Sequence, residues 1–284
     1  MRSCHGCRAG ELIMLIKGHS GFGIELMDEH TIRKSAGSTG ATRLERQIEK
    51  QTGFHQKFQH DKVRTPKIFR SDRAADSFHA DMEFIVAKDF IQFLSEADRR
   101  ALDGFLETIT QFIRRNLALS DTVDVSKQIL EKLTDLAAKN VPAKYIEIAC
   151  GWCAQPVCIP VGPCHGDLTL SNILFKGDQL YLLDFLDCYV ESPLQDIVKL
   201  RQDTRFGWSL QLYQVDFNWP KIQIALRYLD QKLVAAFRSD DWHERHYELF
   251  QFVSLMRVLP YCTEAKTAAL ITGSLDQMLK QSVA

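Results

Sequence analysis

An α+β fold in two lobes is what this sequence predicts, and three observations predict it. Before residue 87, short apolar and alternating runs are broken by glycine and proline, as in strands. After residue 90, apolar residues recur at helical spacing through most of the remaining chain. Inside that helical half, two short apolar stretches flank Lys176-Gly177-Asp178-Gln179 and form an isolated hairpin. The expected organisation is a flexible leader over 1–10, a small mixed β lobe over 11–87 with one main helix, and a larger, mainly helical lobe over 88–284. At 284 residues the chain is long enough for one large domain or for two such lobes.

The elements follow in order. An apolar run over 13–16 is the first strand, and the turn Lys17-Gly18-His19-Ser20-Gly21-Phe22-Gly23 leads into Ile24, Leu26 and Met27. Asp28-Glu29-His30 turns the chain into a short third strand, Thr31-Ile32-Arg33-Lys34. Residues 38–58 read as helix, with Ser38 or Thr39 as cap and Leu44, Ile48 and Gln51 or Thr52 on one stripe. Thr65-Pro66 breaks the pattern before Lys67-Ile68-Phe69. Then Phe78, Ala80, Met82, Phe84 and Val86 alternate with His79, Asp81 and Glu83, the period of a half-buried strand. Ser95-Glu96-Ala97-Asp98 reads as a capping box ahead of a helix carrying Leu102, Phe105, Leu106, Ile109, Phe112 and Ile113. A second helix carries Ile129, Leu130, Leu133, Leu136 and Ala137, and Pro142 ends it. Residues 156–163 are proline-rich and extended, and the hairpin follows over 172–185. From about Pro193 the chain is helical, with one stripe of Ile222, Leu226, Leu229, Leu233, Ala236 and Phe237 and another of Leu249, Phe250, Val253, Met256 and Leu259.

Composition narrows the function. With 45% hydrophobic and 25% charged residues the chain is ordinary globular protein, which excludes disordered and low-complexity classes. A formal charge of −1 removes a global basic footprint, so no nucleic-acid partner is expected. No apolar run approaches the ~18–20 residues of a membrane span. The run over 12–16 is also too short for a secretory core, so a cytoplasmic protein is expected. Two C-x-x-C pairs, Cys4/Cys7 and Cys150/Cys153, stand far apart without the spacing of a zinc ribbon or finger, and the cysteines read as ordinary reduced thiols. Cys4 and Cys7 sit in the polar leader, and Met14 is an alternative start.

The segment that carries chemistry is Cys164-His165-Gly166-Asp167-Leu168-Thr169-Leu170-Ser171-Asn172, followed twelve residues after Asn172 by Asp184-Phe185. Phosphoryl transfer asks for these residue types at this spacing. Its transition state leaves little covalent work to the protein, so positioning and charge neutralisation dominate. Asp167 opens the loop and can accept the proton of an attacking hydroxyl. Asn172 and Asp184 come together if the hairpin forms, and both offer the hard oxygens that Mg²⁺ prefers. Near the start, Gly18, Gly21 and Gly23 would let backbone amides approach phosphates. Lys34 could pair with those phosphates, with a carboxylate on the next helix, Glu45 or Glu49, to hold it. Alone, a glycine turn is usually just a hairpin, a strand lysine is usually solvated and a helix glutamate usually lies on the surface. The set in this order points to one catalytic machinery.

Together these residues resemble the aminoglycoside phosphotransferase and choline kinase-like group, within the protein-kinase-like fold. The segment from His165 to Asn172 resembles its catalytic loop and Asp184-Phe185 its metal-binding aspartate. Ser192-Pro193-Leu194-Gln195-Asp196-Ile197 resembles the segment in which an aspartate opens the next helix and braces that loop. The resemblance runs from about Met14 to at least Leu200 and implies ATP, or GTP as the alternative donor, with Mg²⁺. It places Gly21, Phe22 and Gly23 over the phosphates and makes Glu49, 15 residues after Lys34, the partner of Lys34. Phe84 and Val86 fall in the hinge that meets the base. His165 reads as structural, bonding backbone near Asp184, and Asp187 as structural or solvated. Gly166 stands where many protein kinases carry arginine, and only eleven residues separate Asp184 from Asp196, too few for a segment that docks a peptide. A small-molecule hydroxyl acceptor is therefore expected: an aminoglycoside, a choline-like alcohol, a sugar or a related metabolite. The alternative is a catalytically silent kinase-like binding module. The sequence leaves the oligomeric state open. The acids Asp230, Asp240, Asp241, Glu244 and Glu248 are interleaved with lysine and arginine, and Trp208, Tyr213, Trp219 and Trp242 are the aromatics available for a cationic acceptor.

Overall fold

The computed structural model describes residues 21–57, 62–212, 217–262 and 264–282. The leader with Cys4 and Cys7, the strand expected over 13–16, Gly18 and Tyr213 lie outside the described residues. The chain divides into two compact units. Described residues up to Lys57 join Pro66–Val86 in the first, and residues 62–65 join those from Ala87 onward in the second.

The first unit holds β1 (Gly23–Asp28), β2 (Thr31–Gly37) and α1 (Ala41–Lys57). After β3 (Val63–Arg64), which belongs to the second unit, it continues with β4 (Ile68–Ala74) and β5 (Ser77–Glu83). Its sheet is antiparallel in the order β1-β2-β5-β4. Lys34 is opposite Ile24 on one side and Ala80 on the other. Strand alternation puts Ile32, Lys34 and Ala36 on one face, with Phe78, Ala80 and Met82 across from them. That face packs with Phe22, Ala41, Leu44 and Ile48 as the core of the unit. The charged residues take the other face. There Asp81 accepts Arg33 Nε at 2.7 Å and Arg70 Nη2 at 3.0 Å, and its carboxyl is held at about 2, chiefly by the Arg33 bond.

Two expectations shift here. The α1 helix starts at Ala41, not at a Ser38 or Thr39 cap, and its first carbonyl bond runs from the Leu44 amide to Gly40. The β5 strand stops at Glu83, so Phe84 and Val86 lie beyond the period-two run, and the Phe84 amide is taken by the His30 carbonyl at 2.8 Å.

The second unit opens with β3, which pairs in parallel with the hairpin and was too short to read from the sequence. The next elements are α2 (Phe90–Glu96), α3 (Arg99–Ala118), β6 (Asp121–Asp124), α4 (Ser126–Ala138), α5 (Ala143–Trp152), β7 (Cys158–Val161), β8 (Ile173–Lys176) and β9 (Gln179–Leu182). The capping box lies at Asp89 and Gln92 and starts α2. Ser95 is inside that helix, and Asp98 caps α3 through the Ala101 amide. Pro142 does end a helical stretch, but it also stands at the N-cap of α5, a helix start where the missing N–H costs nothing. The hairpin β8–β9 forms with Ile173 opposite Leu182, and β3 completes a sheet in the order β3-β9-β8. Phe175 of β8 stacks on Phe93 of α2 at 3.9 Å and meets Phe105 of α3 at 5.5 Å, which anchors the hairpin to the helices.

Four longer helices finish the unit: α6 (Pro193–Phe206), α7 (Trp219–Phe237), α8 (Asp241–Met256) and α9 (Ala265–Ser282). The stripes predicted on α7 and α8 are buried, with Ile222, Leu226, Leu229, Leu233 and Phe237 on one and Leu249, Phe250, Val253 and Met256 on the other. The α6 helix is different. It packs against α3, α7, α8 and β7, and nearly every residue from Pro193 to Thr204 is buried, polar ones included. Two of those buried polar groups, Asp196 and Asp203, are spent on the loop before β8, while Arg201 and Thr204 bind Asp230 of α7.

Candidate active site

The loop 165–172 sits in the second unit between β7 and β8. At its start the His165 amide donates to Asp196 Oδ2 and the Gly166 amide to Asp196 Oδ1, each at 2.8 Å. Asp196 is fully buried in the first turn of α6, so one carboxylate fixes two successive amides. The expected role of Asp196 as a brace holds, but the helix cap is Ser192, which accepts the Leu194 amide at 3.1 Å. His165 is buried and structural, with Nε2 at 2.7 Å from the Leu183 carbonyl and Nδ1 at 3.2 Å from the Asp167 amide. An imidazole that donates from Nε2 and accepts at Nδ1 satisfies both contacts. Its ring packs at 4.2 Å on buried Phe185. Gly166 has φ +90°, and a Cβ there would drive into the Leu186 carbonyl oxygen. No arginine fits at this position, which gives the departure from protein kinases a steric cause.

Asp167 projects from this clamped turn. Its Oδ1 is 3.0 Å from Lys199 Nζ of α6, and Asn172 Nδ2 donates to its Oδ2 at 3.1 Å and to its backbone carbonyl at 2.8 Å. Burial pushes the Asp167 carboxyl up, but Lys199, with His165 and Arg257 behind it, more than offsets this and holds it below the usual carboxylate range. Asn172 uses both Nδ2 bonds on Asp167, which leaves its Oδ1 as a hard oxygen. Its backbone carbonyl accepts the Leu183 amide at 2.9 Å, one residue before Asp184. Asp184 holds left-handed backbone at φ +60°, a conformation that aspartate tolerates and that clusters at functional sites. The hairpin thus ties the Asn172 backbone to the residue just before Asp184, and an amide oxygen and a carboxylate are both donors that suit a hard cation.

Sequence reasoning missed three contributors. Lys199 is the first, read only as a helical residue. Asp203 is the second: it accepts the Leu170 amide at 2.5 Å, the Ser209 amide at 2.7 Å and Ser209 Oγ at 3.0 Å. Burial pushes its carboxyl up to about 6, against those three bonds, with the charge of Asp167 adding to the rise. Asp196, Lys199 and Asp203 are spaced i, i+3 and i+7, one face of α6, and that spacing was the available signal. Glu191 is the third. It accepts the Cys188 amide at 2.7 Å and the Cys164 thiol at 3.2 Å, while the Cys188 thiol reaches the Gly166 carbonyl at 3.3 Å. Asp187 is exposed. Cys150 and Cys153 are free, and burial raises the Cys153 thiol to about 11, so this pair is not a reactive dithiol.

The predicted residues of the first unit have their own arrangement. Gly21 has φ +76°, and the Phe22 ring is buried in the core of the unit, 4.9 Å from Lys34 Nζ, so only the Phe22 backbone belongs to the turn. Lys34 is 4% exposed and donates to Gln47 Oε1 at 3.3 Å. Glu49 is not its partner. Two helical positions beyond Gln47, it points about 200° away and is exposed. Glu45 pairs with Arg73 at 2.8 Å. The sequence search considered carboxylates only and passed over the amide. Val86 is exposed and Phe84 partly buried.

A sequence profile described as the phosphotransferase enzyme family matches residues 39–222. No curated protein matches the chain by sequence. Among solved structures, the chain resembles the apo form of a thermostable mutant of aminoglycoside phosphotransferase APH(4)-Ia at 10% identity and a TM-score of 0.62, covering 92% of this chain and 90% of that one. The GDP and kanamycin complex of APH(2")-IIIa aligns at 14% identity and a TM-score of 0.62, over 92% and 90% of the two chains. A putative fructosamine-3-kinase from Haemophilus somnus aligns at 11% identity and a TM-score of 0.56, over 91% and 87%. These structural likenesses establish the two-lobe kinase-like α+β fold. No helix among the described residues is long and apolar enough to cross a membrane.

Proposed function

The chain belongs to the phosphotransferase enzyme family, and from that premise we propose that it transfers the γ-phosphate of ATP, with Mg²⁺, to a hydroxyl of a small molecule. The observation that carries the reading is the fixed carboxylate of Asp167, held by Lys199 and Asn172 beside the Asp184 turn. The acceptor hydroxyl would bind against Asp167, which orients its oxygen toward the phosphorus. As the new O–P bond forms and the bond from phosphorus to the β–γ bridging oxygen breaks, the hydroxyl proton passes to a free lone pair of Asp167. The nearby Lys199 charge makes Asp167 a weak base, which suits a loose transition state that needs its proton taken late. Asn172 Oδ1 and Asp184 would hold Mg²⁺, which supplies charge neutralisation on the donor phosphates. Lys34, positioned by Gln47, and the Gly21–Gly23 turn would meet those phosphates, and the backbone from Phe84 to Val86 the base. The unit ending at Val86 would then carry the nucleotide, and the other the catalysis. Complexes of neighbours with ADP and hygromycin B or with GDP and kanamycin support a nucleotide donor and a hydroxylated acceptor, with GTP as the second donor to try.

The test is the Asp167→Asn variant, assayed by ATP turnover with water and with a panel of kanamycin, hygromycin B, choline, a fructosamine and simple sugars. Turnover should fall by ~10²–10⁴-fold, the usual contribution of a positioned base, while ADP affinity stays within twofold. Near-normal turnover would remove Asp167 from the chemistry.

A further inference from the structure

The charges around Asp167 bear on the acceptor itself. A polycationic acceptor needs carboxylates left open to it. Of the five acids on α7, on α8 and at the α8 cap, four lie beside an arginine. Asp230 binds Arg201 at 2.9 Å, Asp240 binds Arg114 at 2.8 Å and Glu248 binds Arg205 at 2.9 Å, while Asp241 lies 3.7 Å from Arg245. Of these five only Glu244 stands without such a partner, and it is exposed.

Arg257 shows the reverse. It ends α8, is partly buried, and its guanidinium lies 5.1 Å over the Tyr189 ring. That guanidinium makes no hydrogen bond or ion pair with any described residue, yet it is one of the cations that act on the Asp167 carboxylate. Tyr189 belongs to the short stretch between Asp184 and α6. Its buried hydroxyl lies beside the buried side-chain amide of Gln195. A guanidinium held on an aromatic face, weakly hydrated and lacking a carboxylate, is set up to bind a planar or tetrahedral anion bidentately. Lys199 adds a second positive charge but is committed to Asp167.

Resting on the phosphotransferase reading, we infer that the acceptor is a small hydroxylated molecule carrying a negative charge, a carboxylate or a phosphate, which Arg257 binds while its hydroxyl meets Asp167. The donor γ-phosphate is the other source of an anion, and the test separates the two. Glucose 6-phosphate, glucuronate, glucose and glucosamine are titrated by ligand-observed NMR onto the full chain, and ADP and ATP with Mg²⁺ by calorimetry. The same titrations are run on Arg257→Gln, with Arg245→Gln, an exposed arginine of the same helix, as control. One or both anionic sugars should bind at least tenfold more tightly than glucose and glucosamine. Arg257→Gln should erase that preference while ADP and ATP affinities stay within twofold, and Arg245→Gln should change neither.

Glucosamine binding as tightly as the anions would overturn the inference, as would a preference that survives Arg257→Gln. A loss of ATP but not ADP affinity in Arg257→Gln would assign the arginine to the donor and also overturn it. So would the absence of binding by either anion to a protein that binds ADP. A protein that binds no nucleotide either would count instead against the phosphotransferase reading. The KM and kcat of a confirmed anionic acceptor then divide the roles, because a recognition arginine raises KM far more than it lowers kcat.

Discussion

In the second unit, one face of α6 supplies two carboxylates and an ammonium to a single loop. In the first unit, the side chain that α1 turns toward Lys34 is the neutral amide of Gln47. Asp196, Lys199 and Asp203 together hold three loop amides and the Asp167 carboxylate. Each is buried or nearly so, where a charged hydrogen bond is strong and an unmade one costly. Lys34 is just as buried, but its bond to Gln47 is 3.3 Å long and carries no opposing charge. The difference teaches how each unit holds its charged side chain: Asp167, the base proposed above, is fixed by Lys199, by Asn172 and by a loop clamped on α6, while α1 meets Lys34 with an uncharged group.

This contrast can be broken by mutation, and the largest effect should come at Asp196. Asp196→Ala leaves two buried amides without acceptors, at ~1–3 kcal/mol each. Urea denaturation should show a loss of about 2–5 kcal/mol. A loss under about 1 kcal/mol would mean that the loop holds itself.

Lys199→Met comes next. It removes the charge that depresses Asp167, so the acid limb of the kcat/KM profile should move to higher pH and turnover should drop about tenfold or more. An unmoved limb would make Lys199 a packing residue only.

Asp203 sharpens the comparison through pH. Its folded carboxyl titrates at about 6, above its unfolded value of 3.8, so the native state binds the extra proton between those values. Relative to Asp203→Asn, the wild type should therefore gain stability as pH falls from about 6 to about 4. Denaturation curves at both ends of that window decide it, and a constant gap would contradict the buried, ionised Asp203.

The smallest effects belong to α1. Gln47→Ala should raise the KM for ATP by about fivefold, the value of one modest hydrogen bond. Glu49→Ala should change it less than twofold, and the opposite ranking would restore Glu49 as the partner of Lys34.

The same contrast explains what could be read from the sequence. Asp167, Asn172 and Asp184 were legible because they are close in sequence and a hairpin of four-residue strands fixes their spacing. The partner of Lys34 was not, because it depends on how α1 is rotated over the sheet. Leu44, Ile48 and Gln51 set that rotation, and they turn Gln47 inward and Glu49 outward. The α6 helix was recognised as a helix, but its function was hidden. Its buried face carries Asp196, Lys199 and Asp203, so an apolar-stripe search finds little there, and the loop that accounts for those charges lies about 30 residues upstream. The α2 and α5 helices were missed for a local reason: each is short, and each begins at a residue, Asp89 or Pro142, that reads equally well as a loop.

The most direct measurement is a calorimetric titration of ATP onto the wild type with and without Mg²⁺, repeated on Asp184→Asn. The account predicts tighter binding with the metal in the wild type and loss of that increment in the variant. A folded wild type that binds ATP equally well without Mg²⁺, or not at all, would contradict it.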